Sequence, residues 1–232
     1  MAVLLLRLAA PLQSWGNDDS KFETRKTWRE PSKSGVIGMI AAALGYKRYE
    51  TEKILELNKL RFGVRVDREG KLLRDFHTAK SSDKDKTYVT YRYYLADAIF
   101  LVGLEGKRET LERISEAVSH PVFPLYLGRR SCQPTLPIDL GIREADLIEA
   151  LTIEPVLDNT EHRAGTARII TDAEPDDRNI AVVRDLAASF DVHCRKYSYR
   201  NVKEHAPVKF ESTEHDPFEE LEDADVSLTN QT

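Results

Sequence analysis

Residues 31–45 have the sequence PSKSGVIGMIAAALG, which is the clearest local signal in the chain. A serine precedes an apolar run rich in alanine, and Gly45 follows directly after its end. Serine is preferred at a helix start, and glycine just past a helix end. The segment therefore predicts a helix with its N-terminus at Ser34 and Gly35. The alanines and Gly38 are small enough to let this helix approach a sheet closely.

Apolar segments with helix or strand spacing flank this helix on both sides. They predict a buried strand at 3–8, a short helix at 50–60, a half-buried strand at 62–67, a buried strand at 98–104, a helix at 108–119 and a strand at 122–127. With a hairpin after the second strand set aside, the order is β-α-β-β-α-β. This α+β order is that of a ferredoxin-like fold, which RNA-recognition domains also use, but the fold alone does not imply a function.

The hairpin is predicted where residues 72–76 and 87–95 flank a very polar tip. Shorter strands are predicted at 164–172, 179–183 and 192–202. We therefore expect a ferredoxin-like domain over residues 1–145, a smaller β-rich C-terminal part packed on it over 146–210, and an acidic, mobile tail over 211–232.

Composition excludes several classes of protein. The chain has 232 residues, of which 41% are hydrophobic and 31% are charged. No apolar run approaches the roughly 20 residues that a transmembrane helix needs, and the N-terminal apolar run is interrupted at Arg7 without signal-peptide features. Cys132 and Cys194 lie far apart, which argues against a disulfide scaffold or a zinc site. We expect a cytoplasmic protein with no membrane partner, no metal and no cofactor.

The net charge of −5 conceals two parts of opposite sign. Residues 1–130 carry 24 Lys and Arg against 17 Asp and Glu, whereas residues 131–232 carry 10 against 22. The last 22 residues contain eight acidic side chains and no basic one. This asymmetry predicts an anionic partner for the first part of the chain.

Basic and aromatic side chains are interleaved between Gln13 and Gly35. They are Trp15, Lys21, Arg25, Lys26, Trp28, Arg29 and Lys33. Cations for phosphates and flat rings for unstacked bases are typical of single-stranded nucleic-acid binding. The predicted helix N-terminus adds free N–H groups that favour a phosphate. The alternative is a solvated loop with its two tryptophans in the core.

Two further segments each have one interpretation as an RNA contact and one as an ordinary structural feature. Gly128 to Ser131 follows a predicted strand and presents Arg129 and Arg130, whose planar guanidinium groups suit phosphate. The alternative is a surface turn whose arginines pair with nearby carboxylates. The tyrosines of the hairpin suit insertion between bases, or else ordinary cross-strand packing.

The residues give weak support for catalysis. His77 or His120 has the chemistry of a general base in RNA cleavage, although lone histidines are more often structural. No HxxxH, DxD or paired-carboxylate spacing falls where a pocket is expected, so a metal-dependent nuclease is not supported. The first helix lacks the GK[ST] of a phosphate-binding loop, so an NTPase is not supported.

Several sequence blocks together resemble the CasD subunits of type I-E CRISPR Cascade complexes. They are residues 5–16 (LLRLAAPLQSWG), 24–25 (TR), 31–38 (PSKSGVIG), 74–78 (RDFHT), 92–98 (RYYLADA) and 124–132 (PLYLGRRSC). Their order along residues 3–141 makes the resemblance specific. Residues 145–210 match only loosely, and the acidic tail is not a feature of that family.

The resemblance implies a modified ferredoxin-like domain of the RAMP superfamily with a hairpin thumb at about 75–95. It implies a structural subunit that holds the 5′ handle of the CRISPR RNA and caps the backbone filament for antiviral defence. The implied partners are the CRISPR RNA, the Cascade backbone subunit and the large subunit, with target DNA met indirectly through the complex. The residues expected to contact RNA are Gln13, Trp15, Arg25, Ser32, Lys33, Ser34, Arg74, His77, Arg92, Tyr126, Gly128, Arg129, Arg130 and Ser131.

The resemblance also implies a non-catalytic protein, because a separate subunit cuts the precursor RNA in type I-E systems. The alternative is a metal-independent endoribonuclease that processes precursor CRISPR RNA with a Tyr, Lys and His set, as a related branch does. Tyr46 and Lys47 follow the first helix here, but no Lys-His pair follows them. That difference favours the binding role.

Overall fold

The computed structural model describes residues 2–16, 23–80, 87–158, 165–191 and 193–210. In the N-terminal part, the elements are β1 (Ala2–Ala9), β2 (Leu12–Gln13), β3 (Thr24–Arg25), α1 (Lys33–Ala43), α2 (Thr51–Leu57), β4 (Arg61–Arg68), β5 (Lys71–Lys80), β6 (Thr87–Ala96), β7 (Ile99–Gly106) and α3 (Arg108–Ser119). They continue with β8 (Asp139–Arg143), α4 (Leu147–Ile153), β9 (Gly165–Asp172), β10 (Ala181–Ser189), β11 (Lys196–Glu204) and β12 (Val208–Phe210).

The larger of two sheets has the strand order β10-β11-β9-β4-β7-β1-β8, and β12 pairs with β9. Within it, β4, β7, β1 and β8 are antiparallel neighbours. Together with α1 and α3 they have the predicted β-α-β-β-α-β order, but the fourth strand is Asp139–Arg143. The prediction of a strand at 122–127 is wrong. The Val122 and Phe123 N–H groups donate instead to the carbonyls at the end of α1, and the flanking prolines have no N–H to donate.

Alternation along β1 divides the core between the two faces of this sheet. Leu4, Leu6 and Leu8 belong to a large cluster with α1, α2 and α3. Val3 and Leu5 belong to a smaller cluster with α4 on the opposite face. Successive strand side chains point to opposite faces, so a strand buried on both faces is apolar at every position.

Strand β4 was predicted to be half-buried, and that prediction is wrong. A Cβ at Gly63 would lie 2.7 Å from Leu151, because α4 covers this face of the strand closely. Arg65 is fully buried, and its guanidinium donates to Asp67 and, at 2.7 Å, to the Leu151 carbonyl. A buried cation needs such partners. Helix α4, which the sequence prediction missed, therefore lies on the face that the alternation assigned to solvent.

The second sheet is built around the predicted hairpin. Strands β5 and β6 pair without interruption from Lys71 opposite Ala96 to Lys80 opposite Thr87. The hairpin thus begins before the expected 75–95. Of its predicted polar tip, 79–86, residues 79 and 80 belong to β5, and 81–86 lie outside the described residues. Strands β2 and β3 pair with the other edge of β6, which joins the hairpin to the segment after β1.

The C-terminal strands extend the central sheet beyond β4. Strand β9 pairs with β4, and β11 and β10 follow at the edge. The predicted acidic tail at 211–232 lies outside the described residues. No helix in the described part of the chain has the length and apolar character needed to cross a membrane.

Candidate nucleic-acid interface

A groove of about 1150 Å³ crosses one side of the protein between α1, the loop before β8 and the C-terminal strands. Eight cationic side chains line it: Arg25, Lys26, Lys47, Arg48, Arg129, Arg130, Arg184 and Arg195. Six aromatic side chains also line it: Trp15, Tyr46, Phe123, Tyr126, Phe190 and Tyr197. Asp185 and Asp191 are the acidic residues in its described lining. We call this feature the basic groove.

Gly128 places the arginines of the 128–131 loop at the basic groove. Its φ is +94°, and a Cβ there would lie 1.6 Å from the Ser14 carbonyl oxygen. The Ser14 N–H donates to the Leu127 carbonyl over 3.1 Å, which holds the two segments together. Only glycine allows this approach, because every other residue carries a Cβ. The loop is therefore locked against the strand end at Ser14.

Arg129 and Arg130 occupy different environments in this loop. Arg129 is half-buried, its Nη2 donates to the Arg25 carbonyl over 3.0 Å, and its guanidinium lies 4.5 Å from the Tyr94 ring centroid. Arg130 is exposed in the basic groove. The geometry makes Arg129 a support for Arg25, and leaves the Arg130 guanidinium accessible to a ligand.

Gln13 and Trp15, both expected to contact RNA, are buried. The Gln13 amide nitrogen donates to the Ala98 carbonyl over 2.7 Å, and its oxygen accepts from Trp15 Nε1 over 3.2 Å. The Trp15 ring packs so close to α1 that a Cβ at Gly35 would lie 3.0 Å from it. Gln13 does not line the basic groove, and Trp15 contributes to its wall at 1% exposure.

The N-terminus of α1 differs from the prediction. Ser32, not Ser34, is its cap, and the Ser32 hydroxyl accepts from the Gly35 N–H. The Lys33 N–H, the first amide of α1, donates to the Asp185 carboxylate over 2.8 Å, so a protein carboxylate already lies at this helix N-terminus. Ser32 and Ser34 do line the basic groove, although both are mostly buried.

Lys33, another expected RNA contact, belongs to a buried network of four charges. Its ammonium is 2.7 Å from Asp172, and Arg200 bridges Asp172 and Asp185. Burial lowers the pKa of Lys33, and the charge of Asp172 opposes this effect. Burial alone would lower the pKa of Arg200 as well, but the hydrogen bond and charge of Asp185, with the charge of Asp172, raise it. The network fixes β9, β10 and β11 against the start of α1.

The hairpin residues Arg74, His77 and Arg92 are not in the described lining of the basic groove. Arg74 is exposed, with its guanidinium 5.2 Å from the Tyr91 ring centroid. His77 pairs with Asp75 at 2.9 Å, and Arg92 lies opposite Asp75 in the hairpin register. Ser131 is exposed but is not in the described groove lining.

The structure thus brings together eight of the fourteen predicted residues: Trp15, Arg25, Ser32, Ser34, Tyr126, Gly128, Arg129 and Arg130. The prediction missed the cations contributed after α1 and by the C-terminal part of the chain: Lys47, Arg48, Arg184 and Arg195. The adjacent pair Lys47-Arg48 and the aromatic residues around Arg195 were the signals available in the sequence.

The basic groove has the chemistry to bind a polyanion with exposed rings. Its cations outnumber its carboxylates, and Asp185 is already neutralised by Arg200. Tyr46 and Lys47 line it, but no histidine belongs to its described lining. Among the described residues, no cluster of three or more His, Cys, Asp or Glu side chains could hold a metal ion.

Comparison with known proteins identifies the class. The family described as CRISPR-associated protein (Cas_Cas5) matches residues 3–203, and the chain belongs to this Cas5 family. The chain is 38% identical over 162 residues to the "CRISPR system Cascade subunit CasD" of Escherichia coli (strain K12), which covers 61% of this chain and 71% of the relative. The sequence resemblance to that family is confirmed.

Solved structures of CRISPR-associated proteins are also similar to this chain. A chain of a "CRISPR RNA-guided surveillance complex" superposes with a TM-score of 0.75 and 35% identity, over 91% of this chain and 92% of its own length. A second structure, "Crystal structure of Cas protein", gives a TM-score of 0.69 and 40% identity over 89% of this chain and 95% of the other. The mixed α and β architecture with antiparallel sheets is therefore shared with these proteins.

Proposed function

We propose that the chain is a structural, RNA-binding subunit of a type I-E CRISPR Cascade complex, which holds the 5′ handle of the CRISPR RNA in the basic groove. The similarity to a Cascade subunit supports the assignment of the chain to such a complex. The single observation that supports RNA as the ligand is the concentration of eight cations and six aromatic rings in one groove of a chain whose net charge is −5.

The topology supports a ferredoxin-like domain of the RAMP type. Its strand order β4-β7-β1-β8, with α1 and α3 as the crossovers, follows the β-α-β-β-α-β scheme. We take the β5–β6 hairpin, which lies between β4 and β7 in the chain, as the thumb. In this proposal the chain caps the backbone filament, contacts the backbone and large subunits, and meets target DNA only through the complex.

Two observations support a non-catalytic role. His77 is paired with Asp75 on the hairpin, His120 ends α3, and neither is in the described lining of the basic groove. A general base must lie within hydrogen-bond reach of the proton that it removes. The opposing observation is that Tyr46 and Lys47 both line the groove, as a metal-independent endoribonuclease would require.

The test is incubation of purified protein with labelled repeat RNA in EDTA. The proposal expects retention of the RNA in a gel-shift assay without cleavage. The endoribonuclease predicts cleavage at a fixed site, abolished by Tyr46→Phe and by Lys47→Ala. A protein that neither retains nor cleaves repeat RNA, alone or with its partner subunits, would contradict both.

A further inference from the structure

The C-terminal wall of the basic groove carries a compact cluster of one cation and two rings. The Arg195 guanidinium lies 5.3 Å from the Tyr197 ring centroid and 5.8 Å from that of Phe190. The two rings meet edge to face, with centroids 6.4 Å apart and an interplanar angle of 68°. All three side chains line the groove. We call this set the aromatic clamp.

The contacts of Arg195 differ from those of Arg200, the arginine of the charge network at the start of α1. Arg200 is mostly buried and bound to two carboxylates, so its charge is neutralised within the protein. Arg195 is exposed, and no carboxylate of the described residues pairs with it. Its described contacts are the two ring faces. Stacking orients the guanidinium plane without cancelling its charge.

The lining of the basic groove therefore combines two kinds of chemistry. The wall near α1 and the 128–131 loop presents Arg25 and Arg130, both exposed and suited to phosphates. The C-terminal wall presents half-buried ring surface at Phe190 and Tyr197 beside a guanidinium plane. Ring and guanidinium planes stack on unpaired bases, whose faces a duplex does not expose.

We infer that the aromatic clamp is a base-stacking subsite, which makes the basic groove selective for single-stranded RNA with at least one base turned towards β10 and β11. The inference rests on the proposed RNA-binding function. It assigns base binding to the aromatic clamp and phosphate binding to the exposed Arg25 and Arg130, so the two contributions respond differently to salt. Phosphate contacts weaken as salt rises, whereas stacking on a ring depends little on salt.

The affinity test uses oligouridylate, oligoadenylate and an RNA duplex of equal length across a salt series. We expect both single strands to bind more tightly than the duplex. Tyr197→Ala should weaken single-strand binding by about tenfold with an unchanged salt slope, since stacking contributes about 1–3 kcal/mol per base and 1.4 kcal/mol is a factor of ten. Tyr197→Phe, which keeps the ring, is the matched control and should bind as the wild type does.

A second measurement needs no variant that perturbs the fold. Oligouridylate carrying 5-iodouridine is bound to the wild-type protein and irradiated, and the crosslinked peptide is identified by mass spectrometry. The inference predicts crosslinks at Tyr197 or Phe190. Crosslinks confined to other segments, or equal affinity of wild type, Tyr197→Ala and Tyr197→Phe, would overturn it. Failure of the wild type to bind any RNA would instead refute the proposed function.

Discussion

The side chain of Arg129 supports the backbone of Arg25 across 104 residues of sequence, through a hydrogen bond of 3.0 Å from Nη2 to the Arg25 carbonyl. The bond joins the 128–131 loop to β3, which in turn pairs with β6 of the hairpin. Two neighbouring arginines of one loop consequently have different roles. Arg129 positions the groove wall, and Arg130 is accessible to the ligand.

Replacing each of these arginines with alanine should separate the two roles. Arg130→Ala should leave the unfolding midpoint unchanged and reduce the slope of log affinity against log salt by about 0.7, the value for one single-strand phosphate contact. Arg129→Ala should lower the free energy of unfolding by about 1–2 kcal/mol, because it removes a hydrogen bond and a cation–π contact. Urea denaturation and a salt series of RNA binding measure both. Parallel salt plots for Arg130→Ala and wild type would contradict the assignment.

Gly128 should tolerate no side chain. Gly128→Ala places a Cβ against the Ser14 carbonyl at a positive φ, so we expect a loss of about 3 kcal/mol in the free energy of unfolding, together with weakened RNA binding. Gly16→Ala is the matched control, since nothing lies within 4 Å of a Cβ at that position. Equal stability of the two variants would show that the 128–131 loop is not locked against Ser14.

The buried charge network should be essential to the C-terminal wall. Arg200→Met leaves Asp172 and Asp185 buried without their shared guanidinium, and breaking such a network costs about 3–5 kcal/mol. Arg108→Met is the control, because Arg108 forms only exposed ion pairs. Thermal unfolding should show a large decrease in Tm for the first variant and little change for the second. Similar Tm values would mean that the network does not hold the wall.

His205 should make the protein less stable in mild acid. Burial, followed by the charge of Lys203, lowers the pKa of His205 below 6.5. The unfolded chain then binds the proton more readily, so the free energy of unfolding should decrease as pH falls below about 6.5. His205→Gln should remove this part of the pH dependence. Urea denaturation between pH 7.5 and 5 tests it, and identical pH profiles of variant and wild type would contradict it.

Local patterns in the sequence predicted individual elements well. Helix α3 has the predicted bounds, Arg108–Ser119, because its apolar spacing and the following His120-Pro121 define both the element and its end. The burial of strand β4 was harder to predict from the sequence. Its alternation suggested a polar face, but Gly63 leaves room for α4, and Arg65 finds partners that only the tertiary structure supplies.

The candidate site was predictable only on one wall. Trp15, Arg25, Arg129 and Arg130 come from blocks with recognisable basic and aromatic composition. The other wall consists of residues between 184 and 197, about 150 positions after α1, and the ion network at Arg200 brings them to α1. Side-chain burial also could not be predicted locally: Gln13 and Lys33 resemble surface residues by type, yet both are buried in hydrogen-bonded contacts.

The most direct test compares the repeat-RNA affinity of two variants, each of which has four cationic residues replaced by glutamine. The groove variant changes Arg25, Arg48, Arg130 and Arg184, and the control variant changes Lys59, Lys107, Arg113 and Lys209, all exposed and outside the described groove lining. RNA binding in the basic groove predicts that the groove variant loses most of its affinity and that its salt slope decreases by up to about 2.8, at about 0.7 per phosphate contact. The control variant should bind nearly as the wild type does. If both variants are folded by circular dichroism and lose the same amount of affinity, RNA binding depends only on the overall charge of the protein. That result would contradict the basic groove as the RNA-binding site.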